Sequence, residues 1–268
     1  LVTRAFAVAA SGRPGPVVVA LPEDMLTDTV EAPAPLPYVP VETAPGEAEI
    51  AATVALLEKA ERPFVILGGT RWTADGVAAM SRALEAWKLP VGCSFRRQAL
   101  CDHLSANYAG DVGIGINPKL ADYIRNADVV LLVGGRFGEM PSSDYSLVKS
   151  PYPDQKLVHV YPDPSELGRV YRPTVAINAT PTAFANAFAA TGPKAAPSWA
   201  NRTAELHEEY LSWSTPPADG PGAVKMGPIM EWLEKNLPED AIIANGAGNF
   251  ATWVHRFHRF RRFASQAA

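Results

Sequence analysis

The stretch ADVVLLVGGRFGE, residues 127–139, decides the fold. Val129 to Val133 form an unbroken apolar run of strand length, and Gly134 and Gly135 follow at once. A strand with one face in water alternates apolar and polar residues, whereas a run without alternation is buried on both faces. Double burial needs helices above and below, hence a parallel sheet joined by crossovers. The glycine pair then opens a turn at the carboxyl edge of that sheet, where open α/β sheets bind ligands.

The same pattern recurs on either side. Pro63-Phe64-Val65-Ile66-Leu67 ends in Gly68-Gly69, and further strands are expected at Leu89–Val91, Lys156–Val160 and Val175–Ile177. Helical periodicity fills the gaps at 47–60 (through Ile50, Val54, Leu56 and Leu57), 74–88, 117–126 and 181–190. This alternation predicts an α/β fold, a doubly wound parallel sheet forming a Rossmann-like central domain over residues 47–190.

Partial α/β pieces flank it. Val2, Ala5, Phe6 and Ala9 share a helical face, Ser11–Pro16 breaks it, and Val17–Leu21 reads as a buried strand. Pro33, Pro35, Pro37, Pro40 and Pro45 mark a linker at 31–46, and a second is expected at 191–225, interrupted by a helix over 199–213. From 226 a helix, a turn and the strand Ala241–Ala244 lead into Asn245-Gly246-Ala247-Gly248-Asn249. The chain opens mid-helix without Met and stops after one strand and one helix, so it is expected to be cut at both ends.

Composition bounds the rest. A chain of 268 residues suits about two domains at ~150 residues each. Hydrophobic residues make up 47%, enough to exclude wholesale disorder. Net charge is −4, which gives no global case for nucleic acid. Cys93 and Cys101 offer neither a disulfide framework nor a zinc knuckle and are expected to be buried and idle. No apolar run reaches membrane-span length, no signal-peptide layout is present, and reduced thiols suit the cytoplasm.

The candidate chemistry lies at strand ends. Gly68, Gly69 and Gly134 either admit a ligand's phosphate or serve as plain turn glycines, and neither glycine pair fits G-x-G-x-x-G. Arg136 is placed to pair with a diphosphate, with an exposed surface arginine as the bland alternative. The glycine-rich turn at 245–249, between strand and helix, is an expected anion site. Arg256, Arg259, Arg261 and Arg262 alternate with Phe257, Phe260 and Phe263. Helical spacing of Phe257 and Phe260 points to core packing rather than RNA binding, with the arginines solvated or paired across a partner interface. His103, His159 and His207 lack metal-ligand spacing, and no nucleophile elbow exists. No catalytic or metal-ligating residue is therefore assigned.

Three stretches together resemble one family, the thiamine diphosphate-dependent enzymes of the acetolactate synthase and pyruvate oxidase type. SGRPGPVVVALPEDM at 11–25 looks like the end of its pyrimidine-binding domain. ADVVLLVGGRFGE with KLVHVYPDPSELGRVY at 156–171 is similar to its central domain, and DAIIANGAGNFATW at 240–253 to the opening of its diphosphate-binding domain. The resemblance implies 1–30 as the end of the first domain, 47–190 as the central domain and 226–268 as the start of the third.

It implies a 2-oxo acid decarboxylase or carboligase working as a homodimer or homotetramer. It also implies thiamine diphosphate and magnesium, with the catalytic glutamate and the magnesium motif outside this chain, so that the fragment alone is inactive. Gly248, Asn249 and Phe250 match positions touching the cofactor's diphosphate tail. Gly68, Gly69, Gly134 and Arg136 match contacts to FAD in flavin-binding members. Tyr161 stands where those members carry aspartate, and Gly138 follows the Arg-Phe pair where they tend to carry Asp. These departures favour an empty or ADP-type site over FAD. The competing readings are a nicotinamide-dependent domain of sirtuin or deoxyhypusine synthase type and a non-catalytic nucleotide-binding module. The missing zinc cysteines argue against the sirtuin type.

Overall fold

The computed structural model describes residues 1–267 apart from 33, 35, 36, 40 and 221, so the linker prolines Pro33, Pro35 and Pro40 lie outside the described residues. Helix α1 (Val2–Ala10) is followed by α2 (Glu47–Leu57), β1 (Pro63–Leu67), α3 (Ala74–Trp87), β2 (Val91–Ser94) and β3 (Tyr108–Val112). Then come α4 (Pro118–Arg125), β4 (Val129–Val133), β5 (Lys156–Tyr161), β6 (Val175–Asn178), α5 (Pro181–Phe188) and α6 (Ala200–Trp213). The last elements are α7 (Met226–Asn236), β7 (Ile243–Ala244), α8 (Ala251–Phe257) and β8 (Gln266–Ala267).

Six strands form one parallel sheet in the order β3-β2-β1-β4-β5-β6. Successive residues of the buried strands feed opposite layers, as the two-residue strand period requires. Val65, Leu67, Leu131 and Val133 pack against α2, α3 and α5, while Phe64, Ile66, Val130 and Leu132 pack against α4. The expected doubly wound α/β sheet is present. Helix starts follow local chemistry: Thr73, Asn117 and Thr180 each accept a first-turn N–H, and Pro118 and Pro181 stand at the first helical positions. Cys93 and Cys101 are both buried free thiols.

Strand β3 was not legible in the sequence. Its Gly110 and Asp111 break the apolar pattern, and β2 runs from Val91 to Ser94 rather than over 89–91. Helix α6 makes β3 possible by covering the sheet edge, an edge that would otherwise invite foreign pairing. His207 Nδ1 lies 2.9 Å from the Tyr108 carbonyl, and the Trp199 indole donates to the Trp87 carbonyl at 3.1 Å. The helix expected within 191–225 is thus present as α6, and its Tyr210, with Trp199 ahead of it, is buried in the core.

One strand expectation fails and another narrows. Val17–Leu21 forms no regular element and pairs with nothing among the described residues, and Val18 is 92% exposed. Apolar content alone makes no strand, because backbone N–H and C=O groups need a neighbouring ladder. The strand expected over 241–244 narrows to β7, paired only with β8, and Ile242 is exposed.

Candidate functional site

The strand order reverses between β1 and β4, so the turns after these two strands flank a crevice at the carboxyl edge. Those turns are Gly68-Gly69 and Gly134-Gly135, and they touch each other. A Cβ on Gly68 would stand 2.4 Å from Ser94 Oγ, and one on Gly134 would stand 2.6 Å from the Gly68 carbonyl oxygen. Gly69 and Gly134 also have φ of +70° and +77°. Backbone packing and handedness therefore demand glycine here with no ligand invoked.

The turns are tied down by their carbonyls. The Trp72 indole donates to the Gly68 carbonyl at 2.8 Å. His159 Nε2 lies 2.9 Å from the Gly135 carbonyl. Burial lowers the His159 pKa to about 4, so the ring is neutral and donates there. The N–H groups of Gly69, Gly135 and Arg136 donate to no protein acceptor among the described residues.

A cavity of about 410 Å³ opens over these turns. Of the residues singled out in the sequence, Gly69, Gly134 and the exposed Arg136 line it and Gly68 does not; Arg13, Ser94, Arg97, Gly138 and Tyr161 complete the lining named here. Three of its side chains are guanidinium groups, and Glu139 is the one carboxylate in its lining. Arg97 is half-buried, and burial lowers its pKa. Tyr161 is buried at the end of β5, its phenol pushed up by desolvation and pulled back by Arg13 and Arg136. Such a lining attracts a polyanion the size of a nucleotide diphosphate.

Arg13 and Arg97 were not expected at this site. Arg97 had a signal in the pair Arg96-Arg97 directly after a strand at the ligand edge. Arg13 had none, because the fold brings it across from before the linker.

Gly248, Asn249 and Phe250 lie apart from this cavity. The N–H groups of Gly246 to Phe250 donate to no protein acceptor among the described residues, and Phe250 is 54% exposed. Gly248 has φ of +147°, and a Cβ there would meet the Phe250 ring at 2.8 Å. The basic stretch after it is not free. Arg256 stacks 3.5 Å over Trp213 and donates from Nε to its carbonyl at 2.9 Å. Arg261 pairs with Asp102 at 2.9 Å, and Arg262 donates to the Asp240 carbonyl. Arg256, expected to face solvent or a partner, instead joins α8 to α6, because Trp213 offers both a ring face and a carbonyl. Helix α8 also ends at Phe257, yet Phe260 is fully buried beyond it.

Among the described residues no three His, Cys, Asp or Glu side chains converge to hold a metal, and no helix is long and apolar enough to cross a membrane.

The family described as "Thiamine pyrophosphate enzyme, central domain" matches residues 50–188. The chain is 26% identical to the acetolactate synthase isozyme 2 large subunit of Escherichia coli (strain K12), over 95% of this chain and 45% of that protein. It is 25% identical to the acetolactate synthase large subunit of Parasynechococcus marenigrum (strain WH8102), over 95% of this chain and 42% of the relative. Glyoxylate carboligase of Escherichia coli O157:H7 is 30% identical over 65% of this chain and 29% of its own length. The chain thus spans less than half the length of the curated relatives it matches.

Proposed function

We propose, since this chain belongs to the thiamine pyrophosphate enzyme family and contains its central domain, that it is part of an acetolactate synthase-like 2-oxo acid decarboxylase or carboligase. One observation carries this reading. Similarity to an acetolactate synthase extends over 95% of the chain, well beyond residues 50–188. Residues 1–30 are then the end of a pyrimidine-binding domain, 47–190 the central domain and 226–268 the start of a diphosphate-binding domain, with linkers at 31–46 and 191–225. A 2-oxo acid is the substrate, and the assembly is a cytoplasmic homodimer or homotetramer.

The turn at 246–250 fits a diphosphate, because its five N–H groups lack acceptors. Thiamine diphosphate, when bound, supplies the electron sink that stabilises a carbanion next to the keto carbon. Gly248, Asn249 and Phe250 would hold its tail through backbone N–H groups. Magnesium would take its ligands from outside these 268 residues. The central cavity fits an ADP-type ligand better than FAD. Its three arginines suit a diphosphate, and Tyr161 and Gly138 in its lining stand where the resemblance implies that flavin-binding members carry aspartate.

The test supplies the intact protein with pyruvate, thiamine diphosphate and magnesium. Carbon dioxide release with acetolactate formation is expected; release from glyoxylate alone would assign it to the glyoxylate carboligase type instead. No release from either 2-oxo acid would remove the reading. Separate titrations with ADP and FAD should give tighter binding of ADP, weakened at least tenfold by Arg97→Ala.

A further inference from the structure

Little apolar contact holds the segment ahead of the first linker. Helix α1 buries no residue, and Val17–Leu21 is exposed. Yet residues 10–14 are fastened across the carboxyl edge of the sheet by polar contacts at two points.

The first fastening is Arg71, just after β1. Its guanidinium donates to the Ala10 carbonyl at 2.6 Å and to the Val41 carbonyl at 3.3 Å, and it pairs with Glu42. The side chain is 9% exposed although both partner segments are surface chain. Arg71 also holds φ of +68°, which few non-glycine residues adopt, so the surrounding contacts over-determine its conformation. The second fastening lies past β5, where Arg13 approaches Glu166 at 3.9 Å. Gly12, with φ of +50°, makes the bend over Pro162 and Asp163 that separates the two.

These fastenings stand on opposite sides of the β1/β4 reversal, and Arg13 and Pro14 line the cavity between them. Arg71 itself is not in the lining. We propose that residues 10–14 are a strap closing the central cavity, and that Arg71 is the positioning residue which sets Arg13 against the phosphates of the bound ligand. This rests on the reading of the cavity as an ADP-type site. Ligand binding and strap docking are then linked, each favouring the other by the same factor.

The experiment titrates ADP into the intact protein and follows its limited proteolysis, using Arg13→Ala, Arg71→Ala, Arg71→Lys and the Arg13→Ala/Arg71→Ala pair. Arg13→Ala and Arg71→Ala should each weaken ADP at least tenfold, and the double variant should be no weaker than the worse single one. Arg71→Lys, which keeps the charge opposite Glu42, should recover part of the loss and provides a folded alternative if Arg71→Ala is unstable. ADP should slow cleavage within residues 1–45 of the wild type and not of Arg71→Ala. Unchanged ADP affinity in Arg71→Ala, or losses that multiply in the double variant, would overturn the strap while leaving the nucleotide site intact. Absence of ADP binding to the wild type would overturn the site reading, and the strap with it.

Discussion

A Cβ on Gly69 would lie 1.6 Å from the carbonyl oxygen of Gly134. The turns after the two central strands are therefore in backbone contact, and neither can carry a side chain without separating β1 from β4. Gly69→Ala is expected to cost about 3 kcal/mol or more, in the range of the most damaging single substitutions. Gly138 lines the same cavity with nothing within 4 Å of its Cβ position, and Gly138→Ala should stay within about 0.5 kcal/mol. Denaturant unfolding of both variants checks the contrast. Equal stabilities would mean that the turn contact has no energetic weight.

Asp128, at the head of the stretch that decided the fold, has a structural task. Its two carboxylate oxygens accept from the N–H groups of Glu61 at 2.5 Å and Arg62 at 3.0 Å, closing the turn into β1. Asp128→Ala leaves both donors unsatisfied and should cost about 1–3 kcal/mol, with ADP affinity unchanged. An affinity loss without a stability loss would contradict this role.

Stability should peak near neutral pH, a little above 6.5. Burial lowers the pKa of His103 to about 3 and of His159 to about 4. The unfolded chain then binds more protons than the native one below 6.5, so stability falls as pH drops from there. Burial raises Asp111 to about 8. Its native state keeps the proton that the unfolded chain releases near 4, so stability also falls as pH rises from about 4 to 8. His255 and His258, also lowered by burial, act in the same sense. The histidines thus outweigh the one carboxyl up to and slightly above 6.5, and the carboxyl dominates as the unfolded histidines finish titrating. Unfolding free energies at pH 5, 6.5 and 8 should show this maximum. Asp111→Asn, which still accepts from Gln98, should abolish the decline above 6.5. A wild-type curve rising between 6.5 and 8 would refute the assignment.

The turn at 246–250 stands outside the six-stranded sheet. Gly248→Ala in the intact protein should therefore weaken thiamine diphosphate at least tenfold without shifting the unfolding of the central domain. With φ of +147° at this position, any side chain is strained, so the stability measurement is what separates a lost ligand contact from a lost fold. Unchanged affinity in the folded variant would leave Gly248 as an ordinary turn residue.

The sequence by itself determined the doubly wound sheet. Runs such as Val129–Val133 and Phe64–Leu67 are apolar at every position, and only a layer of helices on each face can bury them. It also marked the glycine turns and Arg136, because a strand's end is the carboxyl edge wherever it stands in the chain. Tertiary structure decided the rest. Strand β3 exists because α6 covers it, and Val17–Leu21 is not a strand because no described ladder accepts it. Arg13 reaches the cavity because Arg71, some sixty positions away, holds the backbone beside it. The pairing of Gly69 with Gly134 was equally illegible. Contacts between residues far apart in sequence depend on which strands lie side by side, and local periodicity carries no record of that order.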